Sequence, residues 1–207
     1  MKWFLAVILS VTSAHAELRL PAVISDHMVL QAGKPVAIWC WADAGAEVSV
    51  EFAGQKKATK VGAKSEWLVK LDPLAPKAES QALRINDKII QDALVGEVWL
   101  ASGQSNMAMQ INGKLHGKVD NADAEVAAAK NPDIRVFVHD APLAIYELPV
   151  PADELAQDRP GKWRVCSPET VADFSAMGYF FARDLHAEIK QPIGILTSAL
   201  GGTPIEA

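Results

Sequence analysis

The sequence predicts two successive regions, an all-β region followed by an α/β region. From Glu17 to about Ala93, short apolar runs alternate with period two at spacings of roughly 8–12 residues, as in a small β-sandwich. After Leu94, buried-strand runs alternate with helical patterns, which predicts a parallel sheet with covering helices. The predicted divisions are residues 1–16, a leader, then 17–93 and 94–207.

The leader prediction comes from the first 16 residues. Lys2 precedes the apolar run Trp3 to Leu9, and Ala14-His15-Ala16 follows it. This is the pattern of a secretory signal peptide, and its apolar core is too short to cross a bilayer. We therefore expect cleavage after Ala16 and a secreted or periplasmic protein.

Composition excludes several classes of function. A net charge of −5 without a basic cluster argues against nucleic-acid binding, and no later segment is apolar enough to cross a membrane. No Cys and His cluster has metal-ligand spacing, so neither a metal nor a cofactor is expected. Cys40 and Cys166 can form one bridge between the regions or remain two buried thiols.

The first region contains period-two strands joined by turns. They lie at 36–42, 48–52 and 67–71, with turns at Gly54-Gln55 and Asn86-Asp87. Trp39, Trp41 and Trp67 fit two interpretations, a sugar-stacking surface or core aromatics.

The second region begins with the run 94–101, which suits a strand buried on both faces. We then predict a helix at 122–130 and a strand at 134–138. A long loop at 139–162 follows, which either borders the substrate pocket or crosses the surface. The last predicted elements are a helix at 174–189, with Asp173 as N-cap, and a strand at 192–200.

Ser105 is the candidate nucleophile. The apolar run breaks at Ser102-Gly103, and a helix can start at Ser105. A strand-to-helix turn of this kind presents a hydroxyl at the sheet edge, beside free N–H groups that can stabilise an oxyanion. The alternative is a Ser-Gly and Ser-Asn turn without chemistry.

Three blocks resemble one family. They are GEVWLASGQSNM at 96–107, GKWRVCSPETVADFSAMGYFFARDLH at 161–186 and PIGILTSALGGTPIEA at 192–207. In this order they resemble the sialate O-acetylesterase family, a branch of the SGNH (GDSL-like) hydrolases. The resemblance implies a β-sandwich domain followed by an α/β SGNH-hydrolase-like domain with a flavodoxin-like parallel sheet, incomplete at its C-terminus here.

The resemblance also implies site residues. Ser105 matches the family's nucleophile, and Gly201-Gly202 match its oxyanion segment. The Gln104 side chain is a further oxyanion candidate, and Asn106 and Thr203 are candidate substrate-binding residues. The implied substrate is O-acetylated sialic acid or, as the alternative, an acetylated plant or host polysaccharide, and no cofactor is implied.

The catalytic base is the missing part. The family places its Asp and His late, and no such segment follows Thr203 here, so we expect the front part of an esterase with impaired activity. His139-Asp140 is an internal substitute. The alternatives are a non-catalytic carbohydrate-binding protein with a degenerate hydrolase domain and a truncated product that folds poorly.

Overall fold

A computed structural model of the chain describes residues 18–113, 117–139, 161–199 and 201–202. Strands dominate these residues, and helices are few. The strands are β1 (Val29–Gln31), β2 (Val36–Trp41), β3 (Glu47–Phe52), β4 (Gln55–Lys60), β5 (Glu66–Leu71), β6 (Lys77–Ile85), β7 (Lys88–Gly103), β8 (Asn131–His139), β9 (Gly161–Cys166) and β10 (Ile193–Ala199). The helices are α1 (Ser105–Ala108), α2 (Ala122–Ala128) and α3 (Ala176–Ile189), with a 3₁₀ turn at Val171–Asp173.

One mixed sheet of eight strands organises the fold. Its order is β4-β3-β6-β7-β10-β8-β9, and β1 pairs separately with β7. The pairs β3–β4, β3–β6, β6–β7 and β8–β9 are antiparallel, whereas β10 runs parallel to both β7 and β8. Strands β2 and β5 form a second, two-stranded antiparallel sheet. Within the second region, for which a parallel sheet was predicted, β7, β10 and β8 are parallel and β9 is antiparallel to β8.

Strand β7 belongs to both halves of the molecule. Its first part pairs with β6, and Glu97 to Gly103 pair with β10. Between them, β1 runs parallel to β7, and the Gln31 side chain accepts a hydrogen bond from the Val98 N–H at 3.0 Å. At Gly96 the neighbouring chain passes so closely that a Cβ would lie 2.0 Å from the Pro192 carbonyl oxygen. The predicted division at residue 93 thus falls inside a continuous strand, and it remains a prediction.

Two apolar cores lie on this framework. The first packs the strands before residue 96 and also takes Phe137 and Trp163 from the second half. Trp163 also donates its indole N–H to the Val23 carbonyl at 2.8 Å, which fastens β9 to the N-terminal region. The second core packs α3 against β8 and β10 around Phe174 and Tyr179.

Both cysteines are free and buried, one in each core. Burial raises the pKa of Cys40 to about 11 and also raises the pKa of Cys166. Because the thiolate is the reactive form, neither thiol is a candidate nucleophile near neutral pH.

Sequence periodicity located the helices well. Helix α2 ends before Asn131-Pro132, as predicted, and α3 ends at Ile189. The proposed N-cap of α3 was wrong, because Asp173 ends the 3₁₀ turn and Phe174 is extended. Ser175 caps α3 instead, and its hydroxyl accepts the Gly178 N–H at 3.1 Å.

Two further predictions require correction. The run 94–101 is not buried throughout, since Trp99 is 45% and Leu100 66% exposed. The predicted loop 139–162 overlaps strands at both ends, with His139 in β8 and Gly161 in β9, and residues 140–160 lie outside the described part. Among the described helices, none is long and apolar enough to cross a membrane.

Candidate active site

The candidate site lies at the carboxyl ends of two neighbouring parallel strands. The register of β7 and β10 pairs Ser102 with Ser198 and Gly103 with Ala199. The Ser105 turn follows the first strand directly, and the Gly201-Gly202 turn follows the second after one residue. The fold therefore places the Ser105 turn and the Gly201-Gly202 turn beyond adjacent strand ends, where ligands bind in α/β sheets.

A glycine forms the turn that presents Ser105. Gly103 has φ +152, a conformation that other residues rarely adopt, and a Cβ there would lie 3.1 Å from the Met107 Cβ. The chain can then turn sharply from β7 into α1, where Ser105 is the first residue and is exposed. The strand-to-helix turn predicted at this position is confirmed.

The Ser105 hydroxyl is held by its neighbour. The Gln104 side-chain oxygen accepts both the Ser105 N–H at 3.3 Å and the Ser105 O–H at 3.0 Å. An amide oxygen is not a base, so this contact orients the hydroxyl without activating it.

Ser175 fixes the segment that follows the candidate nucleophile Ser105. It is 5% exposed, and its hydroxyl donates to the Met107 carbonyl at 2.6 Å. Beside it, the Ala176 N–H donates to the Met109 carbonyl at 2.7 Å, and Ile111 donates to Phe174 at 3.1 Å. Three hydrogen bonds therefore fasten residues 107–111, which begin at the end of α1, to residues 174–176 at the start of α3.

We expect Ser175→Ala to lower the stability by about 1–2 kcal/mol, because α3 loses its cap, and to lower kcat more than KM. The physical reason for the second effect is that α1 loses the contact that fixes its position. Steady-state kinetics and thermal melts measure both effects. Ser175→Thr keeps the hydroxyl and should recover most of the loss; equal defects in the two variants would contradict a role for this hydrogen bond.

The described histidine side chains lie elsewhere. His27 contacts Asp92 with an Nδ1 to Oδ2 distance of 2.7 Å, and His186 contacts the Gln191 carbonyl at 2.7 Å. The side chains of His116 and His139 lie outside the described part of the structure. The suggested base at His139-Asp140 therefore remains a prediction.

Asp92 is the centre of a polar cluster that the sequence analysis missed. Arg135, with a side chain only 5% exposed, contacts both Asp92 carboxylate oxygens at 3.0 and 3.1 Å and donates to the Asp92 carbonyl at 2.6 Å. Burial raises the Asp92 pKa, but hydrogen bonds from His27, Arg135 and Ser80 outweigh it and the pKa is lowered. The four residues are separated in the sequence, so only the fold reveals the cluster.

The remaining predicted site residues have mixed outcomes. Asn106 is exposed on α1, and Gly202 has φ +84 in an exposed turn, a conformation that suits glycine. Thr203 lies outside the described residues. Within the described part of the chain, no group of three or more His, Cys, Asp or Glu side chains is arranged to hold a metal ion.

Comparisons with known proteins now identify the family. Residues 95–207 match the family model described as carbohydrate esterase, sialic acid-specific acetylesterase. The chain belongs to this family. The matched residues include the Ser105 turn, α3 and the segment from β10 onward.

Relatives of this acetylesterase family match over almost the whole chain. The human sialate O-acetylesterase is 35% identical over 215 residues, covering 94% of this chain and 39% of that protein. The protein of the same description from Pongo abelii is 34% identical with the same coverage. A crystal structure of a carbohydrate acetylesterase from Xanthomonas citri matches with a TM-score of 0.78 and 31% identity, over 92% of this chain and 42% of that one. The chain thus spans about two fifths of these relatives.

Proposed function

We propose that the chain carries the nucleophile of a carbohydrate O-acetylesterase, which removes O-acetyl groups from sialic acid or related acetylated sugars. One observation carries the proposal: the exposed Ser105 follows β7, whose parallel partner β10 leads into Gly201-Gly202. Membership of the acetylesterase family supports the choice of an acetyl ester as substrate.

The chemistry is acyl transfer to water. The Ser105 Oγ attacks the acetyl carbonyl carbon while a base takes its proton, and the developing oxyanion is stabilised by N–H donors. Candidate donors are the Ser105 and Gly201 or Gly202 N–H groups and the Gln104 amide. The sugar oxygen leaves with the proton, and water then releases acetate and restores the serine hydroxyl.

The proposed architecture is a β-sandwich at 17–93 followed by an SGNH-type α/β domain at 94–207, with a signal peptide at 1–16 and a secreted or periplasmic location. Buried residues of β2 and β5 share one apolar core with those of β3 and β6, and this shared core and the structural likeness to the Xanthomonas citri acetylesterase support the proposal. Parallel pairing of β7, β10 and β8 supports the α/β part.

The test is acetate release from defined substrates. The chain is incubated with acetylated xylan and with O-acetylated sialic acid, and free acetate is measured against the rate without protein. We expect saturable release from at least one acetylated sugar, slower than that of an esterase with a complete triad, and His139 is the candidate base within the chain. Absence of release from both substrates, in a sample that shows a cooperative thermal melt, would contradict the proposal.

A further inference from the structure

The outer face of the two-stranded sheet forms an aromatic platform. We define this platform as Trp39, Trp41 and Leu68, with Arg19, Glu66 and Lys70 at its rim. Residues of β2 and β5 alternate strictly between inward and outward positions, so these side chains share the outward face. Trp67, the third tryptophan of the region, faces inward and is only 5% exposed.

The apolar part of the platform is contiguous. Trp39 lies directly opposite Leu68 in the antiparallel register, and they are 41% and 50% exposed. Trp41 is two residues along the same strand, so the two indoles are about 7 Å apart along β2. A depression of about 460 Å³ is lined by these side chains and by Cys40, Glu66 and Trp67. Single exposed apolar residues are ordinary, but a contiguous aromatic group within a depression is typical of a binding surface.

The rim supplies polar groups at both ends. Glu66 lies opposite Trp41, and Lys70 lies opposite Ala37 beyond the Trp39–Leu68 pair. Arg19 pairs with Trp41 through backbone hydrogen bonds at 2.9 and 3.1 Å, and its guanidinium stacks 4.7 Å from the Trp41 ring centroid. This stacking fixes the orientation of the indole. Charged donors and acceptors therefore flank an apolar centre.

This combination suits a pyranose ring, which has an apolar face of C–H groups and a rim of hydroxyls. The apolar face stacks on an indole, and the hydroxyls bond to the charged rim. A polypeptide partner fits less well, because the rim carries both signs of charge within one short strand pair and offers no charge complementarity to one class of peptide.

We propose that the platform binds a sugar ring of the glycan at a site separate from Ser105. A second contact is supported because the residues that line the depression all lie on β2 and β5, and none of them belongs to the Ser105 turn. The choice of a glycan as ligand rests on the proposed function, whereas the existence of the platform does not. A second contact would hold a polymer near the esterase site between turnovers.

The test is affinity electrophoresis in gels that contain either xylan without acetyl groups or a sialylated mucin. The xylan carries no ester, so binding is read without turnover, and the two gels distinguish neutral from sialylated glycans. We expect retardation of the wild type by at least one polymer and about tenfold weaker binding by Trp39→Ala. Trp39→Tyr retains an aromatic ring and should retain most of the affinity.

The matched control is Trp99→Ala, since Trp99 is 45% exposed but lies on β7 outside the platform. It should bind as the wild type does. Undiminished binding by Trp39→Ala, an equal loss in Trp99→Ala, or no wild-type retardation by either polymer would overturn the platform. Glycan binding without acetate release would overturn the proposed function alone, and thermal melts of all variants identify any loss that is due to unfolding.

Discussion

Replacing Ser105 by alanine is expected to lower kcat/KM for an acetyl ester by at least about a thousandfold. The substitution removes the atom that we propose attacks the carbonyl carbon, whereas the fold should be retained because the Ser105 side chain is exposed. The hydroxyl makes its hydrogen bond to Gln104, which is solvent-exposed as well. The thermal midpoint should therefore remain close to that of the wild type.

The measurement combines acetate release with mass spectrometry of the protein quenched during turnover. We expect one acetyl group on the peptide that contains Ser105 in the wild type and none in Ser105→Ala. Ser102→Ala is the matched control, because Ser102 is another exposed serine at the end of β7. Acetylation of a different residue, or a variant as active as the wild type, would rule out Ser105 as the nucleophile.

The second large effect concerns stability. Asp92→Asn should lower the free energy of unfolding by about 3 kcal/mol, because it leaves the buried Arg135 guanidinium without a counter-ion. Asparagine is the appropriate replacement, since Asp92 has φ +56 and asparagine tolerates that conformation better than alanine does. Urea unfolding at neutral pH measures the difference.

Asp72→Asn provides the comparison for a surface ion pair. Asp72 is 73% exposed and pairs with Lys57 at 2.6 Å, and its loss should cost less than about 1 kcal/mol. If Asp92→Asn and Asp72→Asn lowered the free energy of unfolding by similar amounts, burial of Arg135 would not determine the strength of the Asp92–Arg135 pair.

The same pair predicts a pH dependence. The Asp92 pKa is lowered from 3.8 in the folded chain. The contribution of the Asp92–Arg135 pair to the free energy of unfolding is therefore fully present above about pH 4 and is lost as the pH falls through the folded pKa. The difference between the wild type and Asp92→Asn should therefore shrink in acid. A difference that grows as the pH falls below about 4 would contradict this assignment.

The sequence was informative wherever a local pattern determines the structure. Strict period-two alternation identified β2 and β5, and the apolar spacing of Phe181, Leu185 and Ile189 identified α3. The Ser105 turn was also predictable, because Gly103 interrupts an apolar run directly before a helix start.

Contacts between distant segments were not predictable in this way. The Asp92–Arg135 contact joins residues 43 positions apart, and the Ser175–Met107 contact joins residues 68 apart. The exposure of Leu100 was missed because an apolar run shows that a segment is hydrophobic but does not show which other segments pack against each side chain. Ser175 itself had a local signal, since serine directly before an apolar periodic segment is a typical N-cap.

The continuity of β7 makes the two halves mechanically dependent. Sixteen residues at about 3.3 Å each form a strand of roughly 50 Å that begins in the first core and ends at the Ser105 turn. Cutting the chain at residue 93 would sever this strand and also expose Phe137 and Trp163, which complete the first core. The N-terminal half therefore supports the strand that ends at the Ser105 turn, and heating should unfold both halves in a single cooperative transition.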